Sequence, residues 1–247
     1  MTRTIPLNPR VKYVAQLAGV GEVSLLGTAD SRFWSEELAK QNLCPTERAG
    51  RAQLLLSAID SKFRGIRFQE LCISVLAYRH VRGVRRDGLY LAQAFNSSRL
   101  FALVERMWFS TPYQHGKVQV DLPLPAAIEL VKDRKTAFRA EMGADASALS
   151  RRPLASGDDG WEGPIFLPGK DSRPNARHKM FFAKIAGRTE TYPYLQSCDM
   201  LTIVPSPGTP ILRALVASGF CAQQWIIRES ATHARSKTFA ADAAPGL

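Results

Sequence analysis

Tyr113 and His115 flank Gln114 directly after Pro112. In an extended segment alternate side chains share a side, so the phenol and the imidazole would project together. A histidine titrating near neutrality can take up a proton, and a tyrosine hydroxyl can donate to an oxyanion, so with a carboxylate nearby the pair makes a workable acid/base set. The same rings could equally just pack. Arg99 and Arg106 could grip a substrate carboxylate bidentately if they faced a common cavity, although an ion pair with a neighbouring acid is the more ordinary role for Arg106. Lys117 opens the alternating run Lys117-Val118-Gln119-Val120-Asp121-Leu122, a setting that favours an exposed, snorkelling amine over a reactive one, and Lys179 and Lys184 read the same way. The polar cluster His233-Ala234-Arg235-Ser236-Lys237-Thr238 reads as a solvated strand end.

Several chemistries are disfavoured. The sequence contains no Gly-rich phosphate loop between a strand and a helix, no His-Glu-x-x-His and no nucleophile elbow. Cys44, Cys72, Cys198 and Cys221 are far apart and lack C-x-x-C spacing, so they are expected to be reduced thiols packed in the interior, with neither a metal nor a cofactor bound. The net charge of +11 suggests phosphate binding, but the basic residues are scattered. Their densest group, Arg79, His80, Arg82, Arg85 and Arg86, lies between two strand-like runs and is expected to be a solvated loop. Specific nucleic-acid binding is therefore not expected, and attraction of a small anionic substrate is an equal use of the field. Arg3, Arg10 and Lys12 occupy the first twenty residues without an apolar signal core, and no run of about 18 uncharged apolar residues follows, so a cytoplasmic protein with no membrane segment is expected.

With 247 residues, 45% of them hydrophobic, the chain can bury a sizeable core. Its elements are predominantly short strands. Phe68 to Leu76 has the aromatic and β-branched content of a strand, Arg86-Asp87-Gly88 reads as a turn, and Leu89 to Phe95 as the antiparallel partner, giving a hairpin with a long basic connection. Asn96-Ser97-Ser98 starts a short amphipathic helix with Leu100, Leu103, Val104 and Met107 at helical spacing. Residues 11 to 56 are mixed, with a helix over Phe33 to Lys40 capped by Asp30 or Ser31. Lys132 to Asp159, which includes Ser150-Arg151-Arg152-Pro153, reads as a partly strand-forming, partly flexible excursion. Further strands are expected over Trp161–Leu167, Met180–Ala186, Met200–Val204 and Gln223–Arg228, with a short helix over Ile211–Val216. One β-rich α+β domain spans 1–247, closed or sandwich-like, with 1–56 an extension whose placement the sequence does not fix and 240–247 a frayed tail.

The order of strand, Gly turn, aromatic strand, helix start, Pro-containing segment and strand resembles the central portion of the acetoacetate decarboxylase-like superfamily. Phe68-Gln69-Glu70 is similar to its aromatic-x-Glu at the start of a core strand, and Gly88-Leu89-Tyr90 through Arg99 to its turn, strand and helix start. Thr111-Pro112-Tyr113 occupies the place of the decarboxylases' Pro-Lys-Lys segment and is closer to the Leu-Pro-Tyr of an uncharacterised bacterial branch. Residues 65 to 125 carry the likeness, and Trp161 to Thr238 match only in layout.

In the decarboxylases the resemblance implies a lysine that forms a Schiff base with a β-keto acid, its pKa lowered by desolvation or by a neighbouring cation. Here Tyr113-Gln114 stands at that place, and neither side chain can form an imine. The resemblance makes Glu70 the counterpart of a carboxylate that faces the barrel interior, and it places Arg99 at the matching helix start.

The expected function is therefore an imine-free lyase, isomerase or hydratase acting on a small keto or unsaturated carboxylic acid. Glu70, Tyr113 and His115 would be catalytic, and Arg99, Gln114 and Lys117 substrate-binding. The alternatives are a non-catalytic binder of a small carboxylate or carbonyl compound and a decarboxylase using a relocated lysine such as Lys117. The superfamily's habit of assembling suggests a homo-oligomer.

Overall fold

The computed structural model of the protein is built from strands of up to 18 residues, longer than the short strands expected, because pairing with neighbouring strands carries each one past its apolar run into polar and Gly-containing sequence. It describes residues 11–143, 151–169 and 179–240. The first ten residues, Ser150 and the tail beyond Ala240, all of which entered the expectations above, lie outside this range.

In chain order the elements are β1 (Tyr13–Asp30), α1 (Ser31–Ala39), β2 (Cys44–Pro45), β3 (Glu47–Arg48), β4 (Arg51–Phe63), β5 (Ile66–Val81), β6 (Val84–Asn96), α2 (Arg99–Trp108), β7 (Tyr113–His115), β8 (Lys117–Asp121), β9 (Ala127–Lys132) and β10 (Lys135–Glu141). They continue with β11 (Ala155–Phe166), β12 (Lys179–Pro193), β13 (Met200–Ile203), α3 (Pro210–Ala217), β14 (Cys221–Ser236) and β15 (Phe239–Ala240). The large sheet runs β5-β4-β1-β14-β12-β11-β6, and because β6 also pairs with β5 the hydrogen-bonded path returns to its start. A smaller sheet, β13-β10-β9-β8, stands apart from it.

The two faces of the large sheet differ. Val23, Leu71 and Phe95 project to the side where β8, β9 and β10 contribute Val118, Ile128, Leu130 and Phe138, and where α1 buries Trp34 and Leu38 and α3 buries Leu212 and Leu215. Burying this much apolar surface, at about 25 cal/mol per Å², is the main drive for folding. The opposite face carries two smaller apolar clusters, one around Leu91, Ala94, Tyr113, Ile165 and Phe181 and one around Val20, Ile59 and Phe68, and the polar residues of interest lie among them.

Several expectations need correction. The hairpin turn is at Arg82-Gly83, where both residues have positive φ (51° and 79°), as a two-residue turn between twisted strands requires. Arg86-Asp87-Gly88 lies inside β6, and the basic residues read as a loop occupy the paired ends of β5 and β6. Gly88 answers a steric need instead, since a Cβ there would collide with the Pro164 carbonyl and sit 2.7 Å from Pro164 Cγ where β11 runs beside β6.

The stretch 11–56, whose placement the sequence left open, is part of the large sheet, since β1 pairs with both β4 and β14. The stretch 132–159, expected to form strand in part, contains β10 and the start of β11. Cys44 and Cys221 are exposed, and Cys72 and Cys198 are only partly buried, so the thiols are not uniformly interior.

On α2, Ser98 accepts from the Phe101 amide as N-cap, but the apolar stripe of Leu100, Leu103 and Met107 faces solvent. The residues it turns inward are Phe101, which meets Phe68 edge-on at 5.1 Å, Ala102, and Glu105. Glu105 has its partner on the sheet, and that pairing fixes which side of the helix faces in.

Candidate active site

Strand register sets a row of side chains across the face that α2 covers. Directly opposed residues in neighbouring strands project to the same side, and the partners run Arg228 (β14), Glu22 (β1), Ile59 (β4), Glu70 (β5), Asn96 (β6) and His115 (β7). One pleat further along lie Ser24, Ser57, Cys72, Ala94 and Tyr113. Polar residues in both rows are held by strands, so backbone geometry fixes their positions.

Glu70 anchors one end. Tyr113 donates its hydroxyl to Glu70 Oε1 at 2.7 Å, the Cys72 thiol donates to the same oxygen at 3.2 Å, and Asn96 Nδ2 donates to Oε2 at 3.0 Å. Enclosure by protein raises the Glu70 pKa above its ordinary value, and the nearby Glu105 carboxylate pushes the same way, while the hydrogen bonds from Tyr113, Cys72 and Asn96 oppose the shift. Burial also drives the Tyr113 hydroxyl and the Cys72 thiol well above their usual ranges, so both stay protonated and act as donors. A carboxylate with an elevated pKa and three fixed donors is suited to taking up and giving back a proton.

Glu22 anchors the other end. It accepts from Ser24 at 2.8 Å, Ser57 at 3.1 Å and Arg228 Nη1 at 2.9 Å on Oε1, and lies 3.1 Å from His233 Nε2 through Oε2. Burial alone would raise its pKa, but the His233 hydrogen bond and the Arg228 charge reverse that and hold it down to about 2. A β-bulge makes the arrangement possible. The register steps from Val20↔Ala231 to Glu22↔Arg228, and from Ala186↔Thr232 to Glu190↔Ile227, so β14 carries one extra residue against both neighbours. Five residues apart in a regular strand, Arg228 and His233 would face opposite sides, and the extra residue turns both toward Glu22.

Between α2 and β14, Arg235 Nη1 donates to both Glu105 oxygens, at 2.5 and 2.6 Å, and Thr111 Oγ1 donates to Glu105 Oε2 at 3.0 Å. The Arg235 guanidinium lies between the rings of Phe109 and Phe181, 4.5 and 4.3 Å from their centroids. Phe181 belongs to the same apolar cluster as Tyr113.

Of the residues singled out from sequence, Glu70 and Tyr113 are thus in contact. His115 is in register with Asn96, on the same side, but its ring makes no hydrogen bond to Glu70 among the described residues. Partial burial lowers its pKa, helped by the positive charges of Arg99 and Lys132, which keeps it neutral near pH 7. Arg99 is exposed on the first turn of α2, where it acts on His115 through its charge, and Arg106 is exposed on the same helix. Gln114 pairs with Phe95 and so projects to the opposite face from Glu70. Lys117 is exposed on the small sheet, since alternate residues of β8 are buried and it is one of the others.

The residues missed were Glu22, Arg228, Glu105, Cys72 and Asn96, and His233 and Arg235 were read as a solvated end. The period-two spacing of His233 and Arg235 was the available signal for those two, because it puts them on one face of a strand. Among the described residues no His, Cys, Asp and Glu cluster could hold a metal, and no helix is long and apolar enough to cross a membrane.

No protein-family model matches the chain, and no curated protein sequence does. Solved structures do. An acetoacetate decarboxylase-like enzyme from Sphingomonas wittichii aligns over 97% of this chain and 98% of its own, at 13% identity and a TM-score of 0.57. The acetoacetate decarboxylase of Legionella pneumophila aligns over 96% and 93%, at 13% identity and a TM-score of 0.62. The enduracididine biosynthesis enzyme MppR, solved in complex with pyruvate, aligns over 96% and 95%, at 11% identity and a TM-score of 0.60. The chain has the acetoacetate decarboxylase-like fold.

Proposed function

We propose that this chain is an enzyme that moves protons on a small keto or unsaturated carboxylic acid without forming an imine, in a lyase-, isomerase- or hydratase-type step. The observation that carries this reading is the partly buried Glu70 carboxylate, its pKa raised by desolvation and one oxygen held at 2.7 Å by the Tyr113 hydroxyl. The ionised carboxylate takes a proton from the carbon beside a carbonyl, and the electrons of that C–H bond move onto the carbonyl oxygen. Returning the proton to another carbon isomerises the substrate, and passing it instead to a β-hydroxyl, which leaves as water while the enolate electrons form the C=C bond, dehydrates it. Tyr113 sets the basicity of Glu70 and is the nearby hydroxyl able to donate to the developing oxyanion.

The placement of the lysines supports the imine-free part. Among the described residues Lys12, Lys40, Lys62, Lys117, Lys135, Lys179 and Lys237 are exposed. Lys132 is tied to the His115 carbonyl at 2.7 Å. Lys184 pairs with Glu162 and Ala234, one residue out of phase with the face that carries Ala183 and Arg235. The pyruvate seen in the MppR structure supports a small keto acid as the class of ligand.

The test is proton exchange. In deuterated buffer, wild-type protein should wash deuterium into the carbon beside the ketone of at least one member of a panel of pyruvate, 2-oxobutanoate and 3-oxobutanoate, and Glu70→Gln should lose this while keeping its fold. Full exchange in Glu70→Gln would remove Glu70 from the mechanism, and a borohydride-trapped lysine adduct would replace the imine-free step with Schiff-base chemistry.

A further inference from the structure

The Arg235 guanidinium is only half used. Glu105 takes both of its bonds from Nη1, which leaves the edge made by Nε–H and Nη2–H. Both of those nitrogens are buried without a hydrogen-bond partner among the described residues. This edge is the one through which a guanidinium grips a carboxylate with two parallel bonds. Buried donors on a charged group are costly to leave unpaired, and fixing the plane between the rings of Phe109 and Phe181 prevents the edge from swinging out to water.

The fork is linked to the acid/base pair through shared neighbours. Glu105, which holds it, is bonded by Thr111, two residues before Tyr113, and its charge reaches Glu70. Phe181, which stacks on it, packs in one cluster with Tyr113, Cys72 and Ala94. We infer that the Nε–Nη2 edge of Arg235 is the carboxylate subsite, which holds the acid group of the substrate while Glu70 and Tyr113 handle the carbon beyond it. This rests on the proposed function for the identity of the ligand as a carboxylic acid. Glu105 then has a positioning role: by occupying Nη1 it orients the guanidinium so that the opposite edge is presented. Specificity follows, because an amide or ester of the same acid cannot accept both bonds as an anion and should be discriminated against.

The test follows the Arg235 Nε–H signal by proton–nitrogen NMR of the full chain during titration with pyruvate, and with pyruvamide as the uncharged control. A downfield shift with pyruvate and none with pyruvamide is expected. Arg235→Lys keeps the charge and a bond to Glu105 but loses the fork, and should bind pyruvate at least about tenfold more weakly, the loss of one charge-assisted hydrogen bond, with little change in melting temperature. An unmoved Nε signal under saturating pyruvate, pyruvate binding unchanged in Arg235→Lys, or no pyruvate binding by the wild type would each overturn the subsite. Failure of the subsite is separable from failure of the acid/base reading, because loss of deuterium exchange in Glu70→Gln does not depend on which group holds the carboxylate.

Discussion

Glu22 and Glu70 stand two strands apart on one face of the same sheet, with Ile59 in register between them, and their surroundings push their protonation in opposite directions. Neighbouring strands are about 4.8 Å apart, which puts the two backbones about 10 Å from each other. Glu22 meets Arg228 and His233 and is held ionised, with a pKa of about 2. Glu70 meets an uncharged hydroxyl, thiol and amide and feels the charge of Glu105, so its pKa rises. The opposite shifts thus come from partners, since both residues are glutamates on one wall of the same sheet.

The two isosteric substitutions should therefore change stability with opposite signs. Glu22→Gln leaves Arg228, only 10% exposed at its side chain, without its counter-charge, and breaking a buried pair costs about 3–5 kcal/mol. Glu70 has a folded pKa above its unfolded value, so folding the ionised form costs stability at neutral pH, and Glu70→Gln removes that cost. Thermal melts at pH 7 should show Glu22→Gln well below wild type and Glu70→Gln at or above it. Parallel losses in both variants would contradict the separation of roles.

Acid should destabilise the protein through Glu22. Its folded pKa of about 2 lies below the ordinary 4.5, so the stability it contributes is complete above pH 4.5 and is lost as pH falls toward 2. The shift corresponds to about 3 kcal/mol at most. Asp199, enclosed and held below its usual range by Arg151, adds to the loss in the same direction. Urea denaturation at a series of pH values should show the midpoint falling in this window, and Glu22→Gln should flatten the fall.

Gly88→Ala should destabilise the β6–β11 seam. The added methyl meets the backbone of Pro164, which cannot rotate away as the end of a flexible side chain could, and overpacking of this kind costs about 1–3 kcal/mol. Chemical denaturation would measure it, with Gly83→Ala as a comparison. There the surroundings are open and the strain comes only from the positive φ of 79°.

These contrasts also mark what could be read in the sequence. The strands of β5 and β6 and the Ser98 cap follow from local patterns, alternation and a capping hydroxyl, whereas Glu70 was singled out only through the family resemblance. Glu22 was hidden because Glu22-Val23-Ser24-Leu25 alternates cleanly and looks like a strand with one solvated face, while its partner Arg228 is 206 residues away in the chain. The bulge that turns Arg228 and His233 to the same side has no signature in a single strand, since it exists only relative to β1 and β12. Helix α2 misled for a related reason: Glu105 faces inward because Arg235 waits on β14, a contact no helical periodicity encodes. Gly88 looked like a turn because the steric need that explains it comes from β11.

Tyr113→Phe separates catalysis from packing. The phenylalanine ring fills the same space in the cluster of Leu91, Ala94, Ile165 and Phe181, so the loss of stability should stay within about 1.5–3 kcal/mol, the worth of a hydrogen bond to a charged group. The proton chemistry should change more. The Tyr113 hydroxyl is the strongest of the hydrogen bonds that hold the Glu70 pKa down, and removing it lets burial and the Glu105 charge raise that pKa further. If ionised Glu70 is the base, the rate of deuterium exchange into a keto acid rises with pH through the Glu70 pKa, and in Tyr113→Phe this limb moves to higher pH. Loss of a donor to the developing oxyanion would in addition lower the plateau by about 10- to 1000-fold. A lowered plateau with the limb unmoved would mean that Tyr113 serves the substrate alone, and a profile identical to wild type would take Tyr113 out of the reaction and leave it a packing residue.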